Sequence, residues 1–89
     1  MAIHAIVLQS ENDEVSSRIT AHYPNVYAIN DKCFLVRSDD VSEKVAEKAG
    51  LKGDEQIEGA SGVVLKLNGT YAGFAPSSVW EWLAMEDVK

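Results

Sequence analysis

The sequence predicts an α+β domain with its elements in the order β-α-β-β-α-β. Three observations predict it. Val26-Tyr27-Ala28-Ile29 and Cys33-Phe34-Leu35-Val36 flank a polar turn, Asn30-Asp31-Lys32. Asp39-Asp40 then opens a helical pattern, and a second one lies upstream between an apolar run at 3–8 and the hairpin. Another apolar run, 62–67, follows the second helix. This order is the split βαβ, or ferredoxin-like, plan.

Residues 3–8, Ile-His-Ala-Ile-Val-Leu, are short and almost wholly apolar, the mark of a buried central strand. Ser10 with Asp13 has capping spacing, and Glu11, Asp13 and Glu14 put negative charge where the helix dipole favours it. Val15, Ile19 and His22 recur at helical spacing as one face, and Tyr23-Pro24-Asn25 ends the helix. In the second helix Asp40 is the expected N-cap, with Glu43 completing a capping box. Val41, Val45 and Ala49 form its inner stripe and Gly50 its stop. Asn68-Gly69 signals a type I′ turn between 62–67 and a fifth strand at 70–74. A short C-terminal helix spans 79–84, with Ser78 and Glu81 in capping-box spacing.

The 89 residues form a single domain, 1–89, with an ordinary hydrophobic fraction of 46%. Eight Lys and Arg against 14 Asp and Glu leave net −6, with the basic residues dispersed along the chain. Nucleic-acid binding is disfavoured, because it depends on cations displacing phosphate counterions. No signal peptide or membrane span is evident, so a cytoplasmic location is expected. Cys33, the single cysteine, reads as a small buried side chain.

Catalytic spacing is missing. His4 and His22 have no ligand at metal-site spacing and read as core or surface histidines. None of Ser10, Ser16, Ser17, Ser61, Ser77 or Ser78 lies in a nucleophile elbow, and the glycines fit turns or bulges. Asp39-Asp40 could bind Mg²⁺, but helix capping explains the pair. No catalytic, cofactor-binding or metal-binding residue is expected.

Two helices can cover only one face of a four-stranded sheet, yet both faces are apolar. Ile3, Ala5 and Val7 oppose Ile6 and Leu8; Cys33 and Leu35 oppose Phe34 and Val36; Val63, Leu65 and Leu67 oppose Val64. A solvated face should alternate with polar residues. The terminal helix with Trp80 and Trp82 supplies part of the missing cover, and a second protomer the rest. Tyr71, Phe74, Trp80 and Trp82 are the candidate interface residues.

The order and several segments resemble the small ferredoxin-like nucleases of CRISPR adaptation, and more closely the SinR-like proteins grouped with them. The segments are the first strand, residues 27–39 through the hairpin to the acidic helix start, Val63-Val64-Leu65-Lys66-Leu67-Asn68-Gly69, Tyr71-Ala72-Gly73-Phe74 and Trp82-Leu83. The resemblance implies a homodimer with facing sheets, the fifth strand extending the partner's sheet. In such nucleases an Asp from each protomer, at the end of strand one, holds a metal ion. Gln9 stands at that position here, a neutral amide in place of a carboxylate. The expectation is therefore a dimeric binding or assembly module without catalysis, with a protein partner as a further option. A divergent metal-dependent ribonuclease and an acidic inhibitor imitating nucleic acid are the alternatives.

Overall fold

A computed structural model describes residues 2–67 and 77–84; the side chains of Ser77, Ser78 and Trp80 lie outside the description. The elements are β1 (Ala2–Leu8), α1 (Asp13–His22), β2 (Val26–Asn30), β3 (Cys33–Ser38), α2 (Ser42–Ala49), β4 (Gly62–Lys66) and α3 (Ser77–Ala84). The architecture is α+β. The four described strands form one sheet in the order β2-β3-β1-β4, each neighbouring pair antiparallel. The radius of gyration, 12.6 Å, is close to the ~12 Å of a folded chain of this length. The expected turn at 68–69 and fifth strand at 70–74 lie outside the described residues.

Register sorts the side chains into rows. On one face run Val26, Val36, His4 and Lys66, then Ala28, Phe34, Ile6 and Val64. On the other run Tyr27, Leu35, Ala5 and Leu65, then Cys33, Val7 and Val63. Both α1 and α2 pack on the first face. Val15 and Ile19 of α1 and Val45 and Ala49 of α2 join Ile6, Leu8, Phe34 and Val36 in the main core. Burying such a side chain contributes roughly 1.5–3 kcal/mol. A smaller cluster on the second face joins Ile3, Ala5 and Leu35 to Trp82 of α3, with Tyr27, Leu67 and Leu83 against it.

The helix starts differ from the capping pattern of the sequence. Asn12, not Ser10, caps α1: its side chain accepts from the backbone N–H of Glu14 and Val15 at 3.1 and 3.2 Å. Val41 caps α2 in extended conformation with no side-chain bond, and it is 68% exposed rather than part of the inner stripe. Asp40 is drawn away by stronger partners, described below. His22 is exposed, and Tyr23 takes the buried place at the end of α1. Gly50 ends α2 as expected, in left-handed conformation at φ 86°. The positive φ favours glycine there, and a Cβ would come within 2.5 Å of Ile57 Cδ1 and displace that side chain. The 26–38 hairpin turns where Asn30 Oδ1 accepts from the Lys32 N–H at 2.8 Å.

Candidate functional site

Four places gather polar or exposed side chains. The first is the end of β1, where the resemblance would put a metal carboxylate. The Gln9 N–H donates to the Ser61 carbonyl at 2.8 Å, and the Ser61 hydroxyl donates to Gln9 Oε1 at 2.9 Å. Val7, Leu8, Gly62 and Val63 complete a shallow cavity of about 300 Å³ around the pair. Its lining carries no charge. The Ser61 hydroxyl engages one lone pair of the amide oxygen, which leaves the second lone pair and the amide N–H₂ for recognition. Glu11 and Asp13 are exposed at the start of α1 and do not line this cavity. Among the described residues no group of three or more His, Cys, Asp and Glu is placed to hold a metal ion.

The second is the half of the second face that no described residue covers. Trp82, an expected interface residue, is buried against this sheet at 8% exposure. Its ring lies 6.1 Å from that of Tyr27, tilted by 47°. Arg37 sits over the Trp82 ring at 4.3 Å and donates to the Trp82 and Leu83 carbonyls at 2.9 and 3.2 Å. A guanidinium at the carbonyl end of a helix meets the negative end of its dipole. Arg37 thus ties α3 to β3. Beyond the reach of α3 no described residue buries the face: Val7 is 37%, Leu65 53% and Val63 55% exposed. Cys33, beside Val7 in register, is half-buried, and burial raises its thiol pKa. Of the other expected interface residues, Tyr71, Phe74 and the Trp80 side chain lie outside the description.

The third is a groove between α1, α2 and the loop after α2, with a volume of about 390 Å³. Arg18, Lys44, Lys48 and Lys52 line it with His22. Cations dispersed in sequence are therefore brought together in space. Carboxylates follow them: Arg18 pairs with Glu55 at 3.4 Å, Lys44 with Glu47 at 3.7 Å and Lys52 with Glu43 at 3.2 Å. Interleaving of this kind suits a solvated surface more than a phosphate cradle. Such exposed pairs add ~0–1 kcal/mol each.

The fourth is a polar knot under α2. Asp40 Oδ2 accepts from the Tyr23 hydroxyl at 3.0 Å and from Lys48 Nζ at 2.8 Å. The Asp40 N–H donates to Ser38 Oγ at 3.0 Å. One carboxylate thus joins the ends of α1, β3 and α2. The Lys48 bond holds the Asp40 carboxyl below the ordinary carboxylate range. Burial, with Asp40 accepting its proton, pushes the Tyr23 hydroxyl far above the usual tyrosine value. Behind the knot His4 is fully buried, its Nδ1 3.3 Å from Ser42 Oγ. Burial lowers the pKa of His4.

Arg37 and His4 carry signals that alternation holds. Each stands in an apolar stripe, Arg37 after Cys33 and Leu35, His4 before Ile6 and Leu8. The Asp40–Lys48–Tyr23 knot had no such signal, since its members come from α2 and from two separate connections, after α1 and after β3. No helix among the described residues is long and apolar enough to cross a membrane. Compared with known proteins, the chain matches no family model, no curated protein and no solved structure.

Proposed function

We propose that this chain is a cytoplasmic, non-catalytic binding or assembly module of the SinR-like kind that acts as a homodimer. Its plan is taken to be ferredoxin-like. The element order β-α-β-β-α-β and the antiparallel strand order β2-β3-β1-β4 support that plan.

The observation that carries the dimer is the half-covered second face. Val7, Val63 and Leu65 are contiguous by register and between 37% and 55% exposed, while α3 buries the other half. A second copy is the favoured occupant because these three side chains are uncharged on a chain of net −6. Two such chains can meet there with their charges held apart and screened within ~8 Å at physiological salt. Those three side chains alone fall short of the ~800 Å² per partner that a stable interface buries. The interface therefore extends to a polar rim that includes Gln9 and Ser61.

The nuclease reading asks for a carboxylate where Gln9 stands, and the Gln9 oxygen is already bonded to Ser61. Loss of the metal would remove both water activation and stabilisation of phosphoryl charge.

Sedimentation velocity at micromolar concentration tests the dimer. Twice the 9.7 kDa chain mass is expected for the wild type, and the single mass for Val63→Glu. A wild type that sediments as a monomer defeats the proposal. Calorimetric Mg²⁺ binding that depends on Glu11 or Asp13 would restore the ribonuclease.

A further inference from the structure

His4 is buried beside the first turn of α2, and the dimer surface makes no use of it. It stands in the helix-covered row between Val36 of β3 and Lys66 of β4, with 0% exposure. A neutral imidazole has one donor and one acceptor nitrogen. The Ser42 hydroxyl can rotate to serve Nδ1 in either role, at 3.3 Å. Nε2 is buried and has no hydrogen-bond partner. In the protonated ring both nitrogens are donors, and the added positive charge would be held away from water, a cost that outweighs the backbone carbonyls of Asp40 and Ser38.

The charges facing the ring divide. From the end of β3 and the loop after it, the Asp40 and Ser38 backbone carbonyls and the Asp40 carboxylate favour protonation, the carboxylate being shared with Tyr23 at the end of α1 and Lys48 of α2. Asp39 beside it is exposed. From β4, Lys66 opposes protonation. From α2, the positive end of the helix dipole opposes it too, and Glu43 is exposed and paired with Lys52. Burial is the largest influence and acts in the same sense as Lys66.

We propose that His4 is an acid-release latch: taking up a proton, its imidazole forces the first turn of α2 off the sheet. Ser42 begins α2, and three residues on Val45 enters the main core. Opening this turn lets water reach the imidazolium at the cost of a local contact rather than the whole fold. The sign follows from linkage. The open state binds the proton more tightly than the closed one. The closed state is therefore fully favoured above the ordinary histidine value of about 6.5 and loses ground as pH falls below it.

The test uses the intact chain with His22→Gln, so that a single histidine reports. Its ring is followed by NMR from neutral to acid pH, together with exchange of the Val45 amide, which donates to the Val41 carbonyl at 3.0 Å. The ring is expected to stay neutral in the closed state below about pH 6.5. Over the same range the opening constant at Val45 should grow, approaching tenfold per pH unit. In His4→Gln that growth should vanish. A ring that titrates at the ordinary value with Val45 protection unchanged overturns the latch. So does a His4→Gln chain that keeps the wild-type pH dependence, or acid opening that spares α2 until the whole chain unfolds. Should His4→Gln fail to fold, the ring titration and the Val45 exchange decide alone.

Discussion

On the helix side of the sheet, Ile6, Leu8 and Val36 are at most 4% exposed; on the opposite side, Val7 and Val63 are 37% and 55% exposed. These residues are of one chemical kind, and Ile6, Val7 and Leu8 are neighbours on a single strand. The difference lies in connectivity. The register makes β1 parallel to β2, and β3 parallel to β4, each pair with one strand between. Right-handed crossovers then place both connecting helices on the same side. The second face depends on α3, eight residues long, for the cover the description shows. An isolated helix of that length is marginal, so its packing on the sheet holds it. Burial here is set by what crosses a face, not by how apolar the face is.

The largest effect should fall on the closed side. Ile6→Ala removes a fully buried side chain between Phe34 and Val64, and about 2–5 kcal/mol of stability should be lost in urea titration. An equal loss from Val63→Ala would erase the contrast between the faces. Trp82→Ala comes next. It takes away the one large side chain that α3 is shown to bury, together with the ring under Arg37. A loss of roughly 3 kcal/mol is expected, at the lower end for tryptophan because the site lies near an open edge. Tyrosine fluorescence and chemical-shift changes at Ile3, Ala5 and Leu35 would locate the damage. Changes spread instead through Val15 and Val45 would mean that the two clusters act as one core.

Most of the closed side was legible in the chain. The apolar runs, the Asn30 turn, the Val15–Ile19 and Val45–Ala49 spacings and the Gly50 stop all follow from local rules, and the structure has each of them. The misplaced details are those where two local partners compete. Asp40 could cap α2 or bind Lys48, and a charge-assisted bond with a tyrosine hydroxyl added outweighs a cap. Asn12 and Ser10 both suit a cap, and the helix begins next to Asn12. The half-open side was legible as a question alone: alternation showed two apolar faces, while the extent of cover by α3 is a matter of tertiary geometry. The clustering of Arg18, Lys44, Lys48 and Lys52 was hidden because two helices and a loop share it.

Acid should also separate the two sides, since the titrating knot lies wholly on the helix side. Lys48 keeps the folded-state Asp40 carboxyl below its ordinary value, so its contribution is present above about pH 4 and is lost as pH falls through the folded value. Asp40→Asn should lower stability at neutral pH and flatten that acid limb. The limb lies below the range in which His4 acts, so a pH series resolves the two. Acid loss unchanged in Asp40→Asn would place the responsible carboxylate elsewhere.

Leu65→Ala should be the gentlest change for the isolated chain. Leu65 is 53% exposed and stands opposite Ala5, so the fold loses little and the shift should stay within about 0.5 kcal/mol. Its value lies in how the shift depends on concentration. If a second copy closes this half of the face, folding and association are linked, and the wild-type midpoint rises with protein concentration. Leu65→Ala would then cost more at high concentration than at low. Ile6→Ala, whose side chain no partner can reach, would cost about the same at both. Midpoints that ignore concentration in wild type and variant alike would leave the second face a solvated surface, and the exposure of Val63 and Leu65 would be the ordinary apolar exposure of a small protein.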